Sequence, residues 1–481
     1  MNAITFAPLE IDRSRVRVAW TVEPATSLYH QDHFTLDFGE ALDARTLPLD
    51  LWWTVVLLCT HSHWNLLRPC RVSLPIELPE NEIEFWQRLL DLERASWELF
   101  RGTTDFARTI EIVCQGPLLE TGVLPAHGDR YATAFSGGKE SLLQASLLCE
   151  LTTQPLLVNV KSDLPPLLDH STKKRARVLR DFARRRVCDV VEVKSDYRSS
   201  WDNLFGIRQG YRQTLNEFCD VPFYIANLLV VAGARGVRNI FIGTEFEAHQ
   251  GNLEHEGHLV NYYQTVSPAW TSALAAHLIR WDFTFGSLLW PLTNVVIERV
   301  IWTRYADLAD LQYSCFQMQD ENVSYCSRCR KCLRIALILL LWGIDPARLE
   351  IDVNELFPLH TEWNPNWPPI GGAVAYAAQH IVPARVRPFF PPRNLLQRVG
   401  LEEPAGYKAL KKIVAFYHDT HDEWAGLYQA QFVKYIPTAL RTKLDHIYRQ
   451  TAVEEDGTDR SGEIAKLDAT IGWLAEPLVK M

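Results

Sequence analysis

The chain has 481 residues, more than one ordinary hydrophobic core accommodates, so two or three packed units are expected. Hydrophobic residues make up 47% and charged residues 22%, the balance of a soluble globular protein. The net charge of −9 argues against a general nucleic-acid binder. The longest apolar runs, residues 51–59 and 335–344, are far shorter than the ~20 residues of a membrane span.

Residues 1–127 are predicted to form an accessory α+β domain. Short β-like runs at 16–22 and 34–38 accompany a helical stretch at 82–100, and Gly and Pro residues mark the boundary that follows. The first residues include acidic side chains and show no charged-then-apolar pattern, so no secretory leader is expected, and no catalytic signature is found in this part. Core packing is expected for Trp52, Trp53 and Trp64, while His61 and His63 have no evident partner ligands and receive no role.

Residues 128–350 alternate between strand and helix patterns. Strands are predicted at 131–135, 155–160, 190–194 and 239–243, and helices at 139–151, 171–186, 207–218 and 223–233. This alternation predicts an α/β fold with a doubly wound parallel sheet and right-handed crossovers. Ligands of such sheets bind outside the carboxyl ends of the strands, where Lys161 and Asp163 follow the second strand.

The remaining chain carries less pattern. Residues 244–263 are polar and irregular, and helices are expected from there to about residue 339. Residues 351–481 are predicted to be a mainly helical C-terminal extension, which is Pro-rich from residue 364 and then mixed in charge.

A glycine-containing segment, Ser136-Gly137-Gly138-Lys139-Glu140-Ser141, lies between the first predicted strand of this part and its helix. Paired glycines let backbone N–H groups turn toward a ligand, and the helix start adds a positive dipole end. Two serine hydroxyls and the mobile charge of Lys139 complete a phosphate cradle. It is not a Walker A loop, because Lys139 is followed by Glu140 rather than Ser or Thr. The alternative is a tight turn in which Ser136 only caps the helix.

The ten cysteines divide into two groups. Four are close in sequence: Cys315, Cys326, Cys329 and Cys332. Such a set in a reducing compartment predicts a metal site, and four sulfurs favour a closed tetrahedral Zn²⁺ site over an iron–sulfur cluster. The other six are scattered and are expected to be buried thiols. The expected location is therefore the cytoplasm.

The glycine segment resembles the Ser-Gly-Gly-x-Asp-Ser signature of the PP-loop ATP pyrophosphatases, with Glu140 in place of the usual Asp. The resemblance implies an adenine nucleotide α-hydrolase-like fold that binds ATP and Mg²⁺. It implies catalytic roles for Lys139 and Glu140, and it places the β- and γ-phosphates on a set of residues comprising Ser136, Gly137, Gly138, Lys139 and Ser141. Adenine would lie at the end of the second strand, against Val160 and Lys161.

Further motifs are similar to the QueC group, the 7-cyano-7-deazaguanine synthases, over about residues 131–346. The matching segments are Val221–Asn227, Phe241–Glu245, Trp290–Thr293, Tyr313–Phe316, Cys326–Arg334 and Gly343–Pro346. The resemblance implies ATP-dependent activation of 7-carboxy-7-deazaguanine, first to an amide and then to a nitrile, with release of pyrophosphate. The cysteines would form a zinc-binding helical segment.

Two departures from the group concern the acceptor. The family's Asp and its Ser-Gly-Tyr-Pro-Asp-Cys run are absent after the fourth strand, where Glu245 or Glu247 could replace the acidic group or be a surface carboxylate. The chain is also about twice as long as a housekeeping member and resembles the long QueC-like proteins of bacterial antiphage systems, the QatC and CBASS-associated groups. That likeness implies a protein acceptor or operon partner docking on the terminal additions. The oligomeric state stays open.

Two rival functions are considered. A PP-loop tRNA-modifying or sulfur-transfer enzyme needs a basic RNA surface, and the candidates are Lys173, Lys174, Arg175, Arg177, Arg180, Arg184, Arg185 and Arg186. These residues spread around a helix, which favours a solvated face instead. The other rival is a non-catalytic ATP-binding regulator in which Glu140 marks lost catalysis.

Overall fold

A computed structural model of the chain describes most of the first 352 residues and one later helix. The described ranges are 1–101, 109–125, 128–162, 169–208, 216–245, 253–261, 263–315, 322–327, 329–341, 344–352 and 436–452. Asp163, Glu247 and the Pro-rich part of the predicted C-terminal extension lie outside these residues.

Thirteen strands and ten α-helices are present in the described residues. The strands are β1 (Asn2–Phe6), β2 (Glu10–Ile11), β3 (Arg15–Glu23), β4 (His33–Asp37), β5 (Cys70–Leu74), β6 (Ile110–Cys114), β7 (Tyr131–Ala134), β8 (Leu156–Ser162), β9 (Asp189–Ser195), β10 (Asn239–Phe241), β11 (Leu253–His255), β12 (His258–Val260) and β13 (Thr284–Gly286). The helices are α1 (Leu49–Trp64), α2 (Glu80–Arg101), α3 (Lys139–Leu151), α4 (Asp169–Arg185), α5 (Phe205–Arg208), α6 (Asn216–Ala234), α7 (Pro268–Leu278), α8 (Asn294–Arg304), α9 (Arg330–Leu341) and α10 (Thr438–Ala452).

The fold is α/β, with one large, mostly parallel sheet of 11 strands in the order β13-β10-β7-β8-β9-β4-β3-β1-β5-β6, and β2 beside β3. Strands β13 to β9 run parallel, β4 pairs antiparallel with both β9 and β3, and β5 and β6 run parallel to β1. The strands of residues 1–125 and the parallel strands form one sheet, because β4 pairs with β9 and places Leu36 opposite Ser195.

Helices cover both faces of the parallel strands. On β8, Leu156 and Val158 point into one core with α1, α2, α6 and α7, whereas Leu157 points into a second core with α3, α4, α8, α9 and α10. Successive strand side chains point to opposite faces, so a strand buried on both sides needs apolar residues throughout. This burial explains the nearly continuous apolar runs of these strands.

Strand β7 occupies the position where the chain changes direction across the sheet. The chain passes from β7 to β8 and β9 on one side, then returns to place β10 and β13 on the other side. In open α/β sheets such a switch point leaves a crevice at the carboxyl ends of the strands. The segment after β7 is therefore at the edge where ligands of this architecture bind.

The predicted strands at 131–135, 155–160, 190–194 and 239–243 are confirmed, as is the helix at 139–151. The predicted break between the helices at 207–218 and 223–233 is wrong, since α6 is continuous through Pro222 from Asn216 to Ala234; residues 209–215 of the first predicted helix lie outside the described residues. Burial of α6 between α1 and the sheet outweighs the local proline signal. Within the predicted irregular stretch 244–263, β11 and β12 form a hairpin whose turn places Glu256 and Gly257 at positive φ.

Core packing explains the tryptophans of α1 and the position of α10. Trp52, Trp53 and Trp64 are at most 1% exposed, which confirms their prediction as core residues. Helix α10 packs against α8, and its Tyr448 hydroxyl donates a 2.8 Å hydrogen bond to the Leu288 carbonyl. None of the helices in the described ranges has the length and apolarity that crossing a membrane requires.

Candidate functional site

The turn from β7 into α3 leaves the start of the helix open. Gly137 has φ of +80°, a left-handed conformation that disfavours residues with a Cβ, and the N-cap is Gly138, which has no side chain to offer. Ser136 lies before the N-cap, and its Oγ is 3.5 Å from the Gly138 nitrogen. The interpretation of Ser136 as the helix cap is therefore wrong. The first backbone N–H groups of α3 have no side-chain cap and are potential hydrogen-bond donors to an anion.

Hydrogen bonds between its two serines stabilise this glycine loop, residues 136–141. Ser141 Oγ accepts from the Ser136 backbone nitrogen at 3.2 Å, lies 3.2 Å from Ser136 Oγ, and donates to the Gly138 carbonyl at 3.0 Å. The Ser136 side chain is exposed, whereas Ser141 is buried. The loop thus keeps one hydroxyl accessible and uses the other to maintain its own shape.

Close contacts hold neighbouring elements around the loop. A Cβ at Gly243, just after β10, would lie 3.0 Å from the Glu140 carbonyl carbon, a contact so tight that the loop backbone would have to shift to accept it. A Cβ at Gly137 would lie 3.3 Å from Val178 of α4. On the remaining side, the Tyr313 nitrogen donates to the Gly137 carbonyl at 2.7 Å. Segments from three distant parts of the sequence therefore surround the loop.

Lys139 and Glu140 interact with each other in this structure. Lys139 is 1% exposed, and its ammonium group donates to the carboxylate of Glu140, which is half-buried. The sequence suggested a mobile charge at Lys139, whereas the structure places that charge in a buried ion pair. A ligand that takes the ammonium must therefore compete with Glu140.

Glu298 is a buried carboxylate that the sequence analysis did not single out. It lies on α8 with no exposed surface, and its Oε2 accepts from Gln312 Nε2 at 3.0 Å and Trp302 Nε1 at 3.1 Å. Burial raises its pKa, and the nearby charges of Lys139 and Arg334 oppose that increase. The sequence signal for it was weak: an acidic residue between the apolar residues of α8, directly before Arg299.

The other predicted ATP-site residues follow β8 and β10. Val160 is buried in the core beneath α6, and the ammonium of half-exposed Lys161 donates to Glu192 at 2.7 Å on neighbouring β9. Glu245 is half-buried two residues after Gly243 and accepts from Asn294 Nδ2 at 3.3 Å. Of these three residues, Glu245 lies after β10, the strand whose end at Gly243 packs directly against the glycine loop.

The four clustered cysteines converge as predicted. The Sγ atoms of Cys315 and Cys329 are 3.8 Å apart, as are those of Cys326 and Cys332, and Cys329 and Cys332 are separated by 3.5 Å. Tetrahedral ligation with Zn–S bonds of about 2.3 Å spaces sulfurs about 3.8 Å apart, whereas a disulfide needs about 2.0 Å. The cluster can therefore hold zinc, and its compactness suits one ion better than a multi-iron cluster.

Several of the basic residues on α4 form ion pairs. Arg184 pairs with Asp181, and Arg185 and Arg186 pair with Asp310 and Asp307 in the segment after α8. Lys174 and Arg175 are buried, so this helix is not simply a solvated basic face. Fewer of its eight cations are available to an RNA backbone than the sequence suggested.

Comparisons with known proteins give no match, so a functional assignment depends on the geometry of the site. No protein-family model, curated protein or solved structure matches the chain. The two features available to carry an assignment are the open glycine loop at the switch point and the four-cysteine site. A short piece of backbone joins them. The Tyr313 nitrogen donates a hydrogen bond to the Gly137 carbonyl, and Cys315 is two residues further along the chain.

Proposed function

We propose that this protein is an ATP pyrophosphatase that adenylates a carboxylate, with a 7-carboxy-7-deazaguanine-type compound as substrate. The observation that carries the proposal is the open start of α3, where Gly137 and Gly138 leave backbone donors at the carboxyl edge of a parallel sheet. An anion placed there meets uncapped N–H groups and the positive end of the helix dipole. The pyrophosphate portion of ATP has the charge and shape for such a cradle.

The strand order supports a PP-loop type of fold. Numbered from β7, the parallel strands β9-β8-β7-β10-β13 have the doubly wound order 3-2-1-4-5. In this architecture the nucleotide crevice lies at the switch between strands 1 and 4, here β7 and β10. The glycine loop and Glu245 follow those two strands, which is the arrangement that the PP-loop resemblance requires.

A carboxylate reacts poorly with nucleophiles, and adenylation turns one of its oxygens into a leaving group. A substrate carboxylate oxygen attacks the α-phosphorus of ATP, the bond to the bridging oxygen breaks, and pyrophosphate leaves. The N–H groups of residues 137–139 and the Ser136 hydroxyl would stabilise the departing charge. The Lys139 ammonium would add to this by exchanging Glu140 for a phosphate oxygen.

Glu140 and Glu245 would hold the Mg²⁺ that accompanies ATP. Carboxylate oxygens are preferred Mg²⁺ ligands, and these two lie on the adjoining segments after β7 and β10. Mg²⁺ supplies charge neutralisation of the phosphates at such a site. Glu140 is one methylene longer than the Asp usual in PP-loop enzymes, which lets it reach both Lys139 and a metal at the loop.

The acyl adenylate would then react with ammonia or with an amine of a protein. Attack by an amine on the activated carbonyl forms an amide and releases AMP. The terminal additions to the core would dock such a protein acceptor, as proposed for an antiphage role. The tRNA-modifying alternative is weakened by the ion pairs and burial on α4, and the regulator alternative is distinguished by binding ATP without releasing pyrophosphate.

The test is to incubate the purified, zinc-replete protein with ATP, Mg²⁺ and 7-carboxy-7-deazaguanine, with and without ammonia. We expect deazaguanine-dependent pyrophosphate release together with an adenylate, amide or nitrile product by mass. ATP binding without any pyrophosphate would favour the regulator. Pyrophosphate released only with RNA, with steep salt dependence, would favour the tRNA-modifying enzyme.

A further inference from the structure

Arg175 is a buried cation with incomplete hydrogen bonding. It lies on α4 and is 7% exposed. Its Nη1 donates to the Tyr224 hydroxyl over a long 3.5 Å, and its Nε has no partner among the residues that the structure describes. Buried guanidinium groups are normally matched by a carboxylate or several acceptors. Within the described part of the chain, Arg175 therefore has at least one donor, its Nε–H, that no protein acceptor occupies.

The groups around Arg175 leave an excess of positive charge. Arg198 follows β9 and donates to the Tyr224 hydroxyl at 2.6 Å, and it pairs with Asp220 of α6 at 2.6 Å. Asp220 and Tyr224 are one helical turn apart on α6 and face both arginines. Asp220 pairs with Arg198 and also interacts with the charge of Arg175, so two guanidinium groups share one carboxylate in this cluster of described residues.

This cluster lies at the ligand edge of the sheet. Arg175 is three residues before Val178, which packs against Gly137 of the glycine loop, so the two α4 residues share one helix face about 4.5 Å apart along the axis. Arg198 follows the carboxyl end of β9 within three residues. Residues from α4, β9 and α6 thus meet beside the glycine loop, beyond the strand ends.

We propose that Arg175, with Arg198 and the Tyr224 hydroxyl, forms an oxyanion-binding subsite beside the glycine loop. The inference deepens the proposed function, on which it rests for the identity of the ligand. Its chemistry fits either the carboxylate of the substrate or a phosphate of ATP, since both offer paired oxygens to a guanidinium fork. The Tyr224 hydroxyl accepts from both arginines, from Arg198 at 2.6 Å and from Arg175 at 3.5 Å.

Affinity measurements with matched variants test this subsite. Arg175→Gln removes the buried charge, Arg175→Lys keeps the charge but loses the fork, and Arg180→Gln makes the same change at an exposed arginine of the same helix. Calorimetric titrations use inorganic phosphate, ATP with Mg²⁺, 7-carboxy-7-deazaguanine and its neutral 7-amide. We expect Arg175→Gln to weaken binding of at least one anion by about 10- to 100-fold, with a smaller loss for Arg175→Lys and none for Arg180→Gln.

The ligand that responds identifies the source of the oxyanion. A loss for the carboxylated deazaguanine but not for its amide assigns the subsite to the substrate carboxylate, whereas a loss for ATP or inorganic phosphate assigns it to a phosphate. Arg175-dependent phosphate binding without pyrophosphatase activity would sustain the subsite and reject the proposed function. Equal affinities of wild type and Arg175→Gln for every anion would overturn the subsite and leave the proposed function standing. Failure of the wild type to bind any of these anions overturns both.

Thermal unfolding separates binding from a structural role. Removing an only partly compensated buried charge leaves the melting temperature of the unliganded protein unchanged or higher, while the anion no longer raises it. A lower melting temperature for Arg175→Gln, with anion stabilisation intact, would show that Arg175 only supports packing and would overturn the inference.

Discussion

The cysteine cluster and the glycine loop are neighbours, since Tyr313, two residues before Cys315, donates a backbone hydrogen bond to Gly137 of the loop. The two sites are built in contrasting ways. The cysteine site consists of four side chains from one short stretch, and its sulfurs are spaced for a closed tetrahedral ion. The glycine loop consists mainly of backbone donors, and its surroundings come from α4, β10 and the segment before Cys315.

The difference indicates separate duties for the two sites. A zinc ion bound by all four cysteines would have no coordination position left for a substrate, so it would hold the backbone in place and offer no open site for chemistry. The loop has open donors whose direction depends on elements packed around it. One of those elements, the segment Tyr313–Cys315, would be anchored by a zinc ion bound at Cys315. Damage to the cysteine site should therefore affect folding first, and damage to the loop should affect catalysis first.

The largest expected effect is that of Cys332→Ser. Cys332 is fully buried, and a serine cannot supply the thiolate of a zinc site. In small zinc domains, zinc binding contributes about 10–16 kcal/mol to the free energy of folding. We therefore expect the variant to lose bound zinc and the segment around α9 to unfold. Metal content per chain by mass spectrometry and the melting temperature check this.

Cys70→Ser is the matched control, since Cys70 is equally buried but belongs to β5. It should keep the full zinc content and show only the stability loss of a small buried substitution. Cys332→Ser protein that retains one zinc per chain would break the proposed division of duties.

The second effect is catalytic. Gly137→Ala forces a Cβ into a left-handed backbone conformation, 3.3 Å from Val178, and displaces the donors of the loop. A misplacement of about 1 Å at a reacting group can cost about 100-fold in rate, so we expect pyrophosphate release to fall by about that factor while zinc content is unchanged. Pyrophosphate assays at saturating ATP provide the measurement.

Gly257→Ala separates backbone strain from function. Gly257 has φ of +77°, close to the +80° of Gly137, but a Cβ there meets no atom within 4 Å. Both variants pay a similar backbone cost of roughly 1–2 kcal/mol. Similar rates for the two variants would contradict a role for the loop in catalysis.

The smallest effect is expected for Glu298→Gln, which lies between the two sites. Since burial raises the pKa of Glu298, the folded protein keeps this proton to higher pH than the unfolded chain. The free energy of unfolding then falls as pH rises from the ordinary glutamate value of 4.5 through the raised pKa. Glutamine cannot ionise, so the stability of the variant relative to wild type should increase with pH.

Urea unfolding at several pH values from 4 upward measures this difference. Glutamine retains an oxygen that can accept from Trp302 and Gln312, so the rate of pyrophosphate release should change by less than about tenfold. Parallel stability profiles for wild type and variant would show that Glu298 does not ionise differently in the folded protein.

Much of the α/β core was predictable from local patterns. Apolar runs located β7 to β10, and the change from strand to helix periodicity located α3 at its observed bounds. The four cysteines were recognisable because their ligand atoms come from one short stretch. The continuity of α6 through Pro222 was not predicted, because the burial of this helix against α1 outweighs the local proline signal.

The sequence by itself determined the features with short-range causes: strands and helices, the glycine pair and the cysteine set. Only the tertiary structure decided which distant groups meet. It placed Gly243 against Glu140, buried Lys139 in an ion pair, and brought Arg175 and Arg198 to one tyrosine. Such contacts depend on strand order and helix packing, since residues far apart in sequence become neighbours only when the sheet assembles and removes them from water.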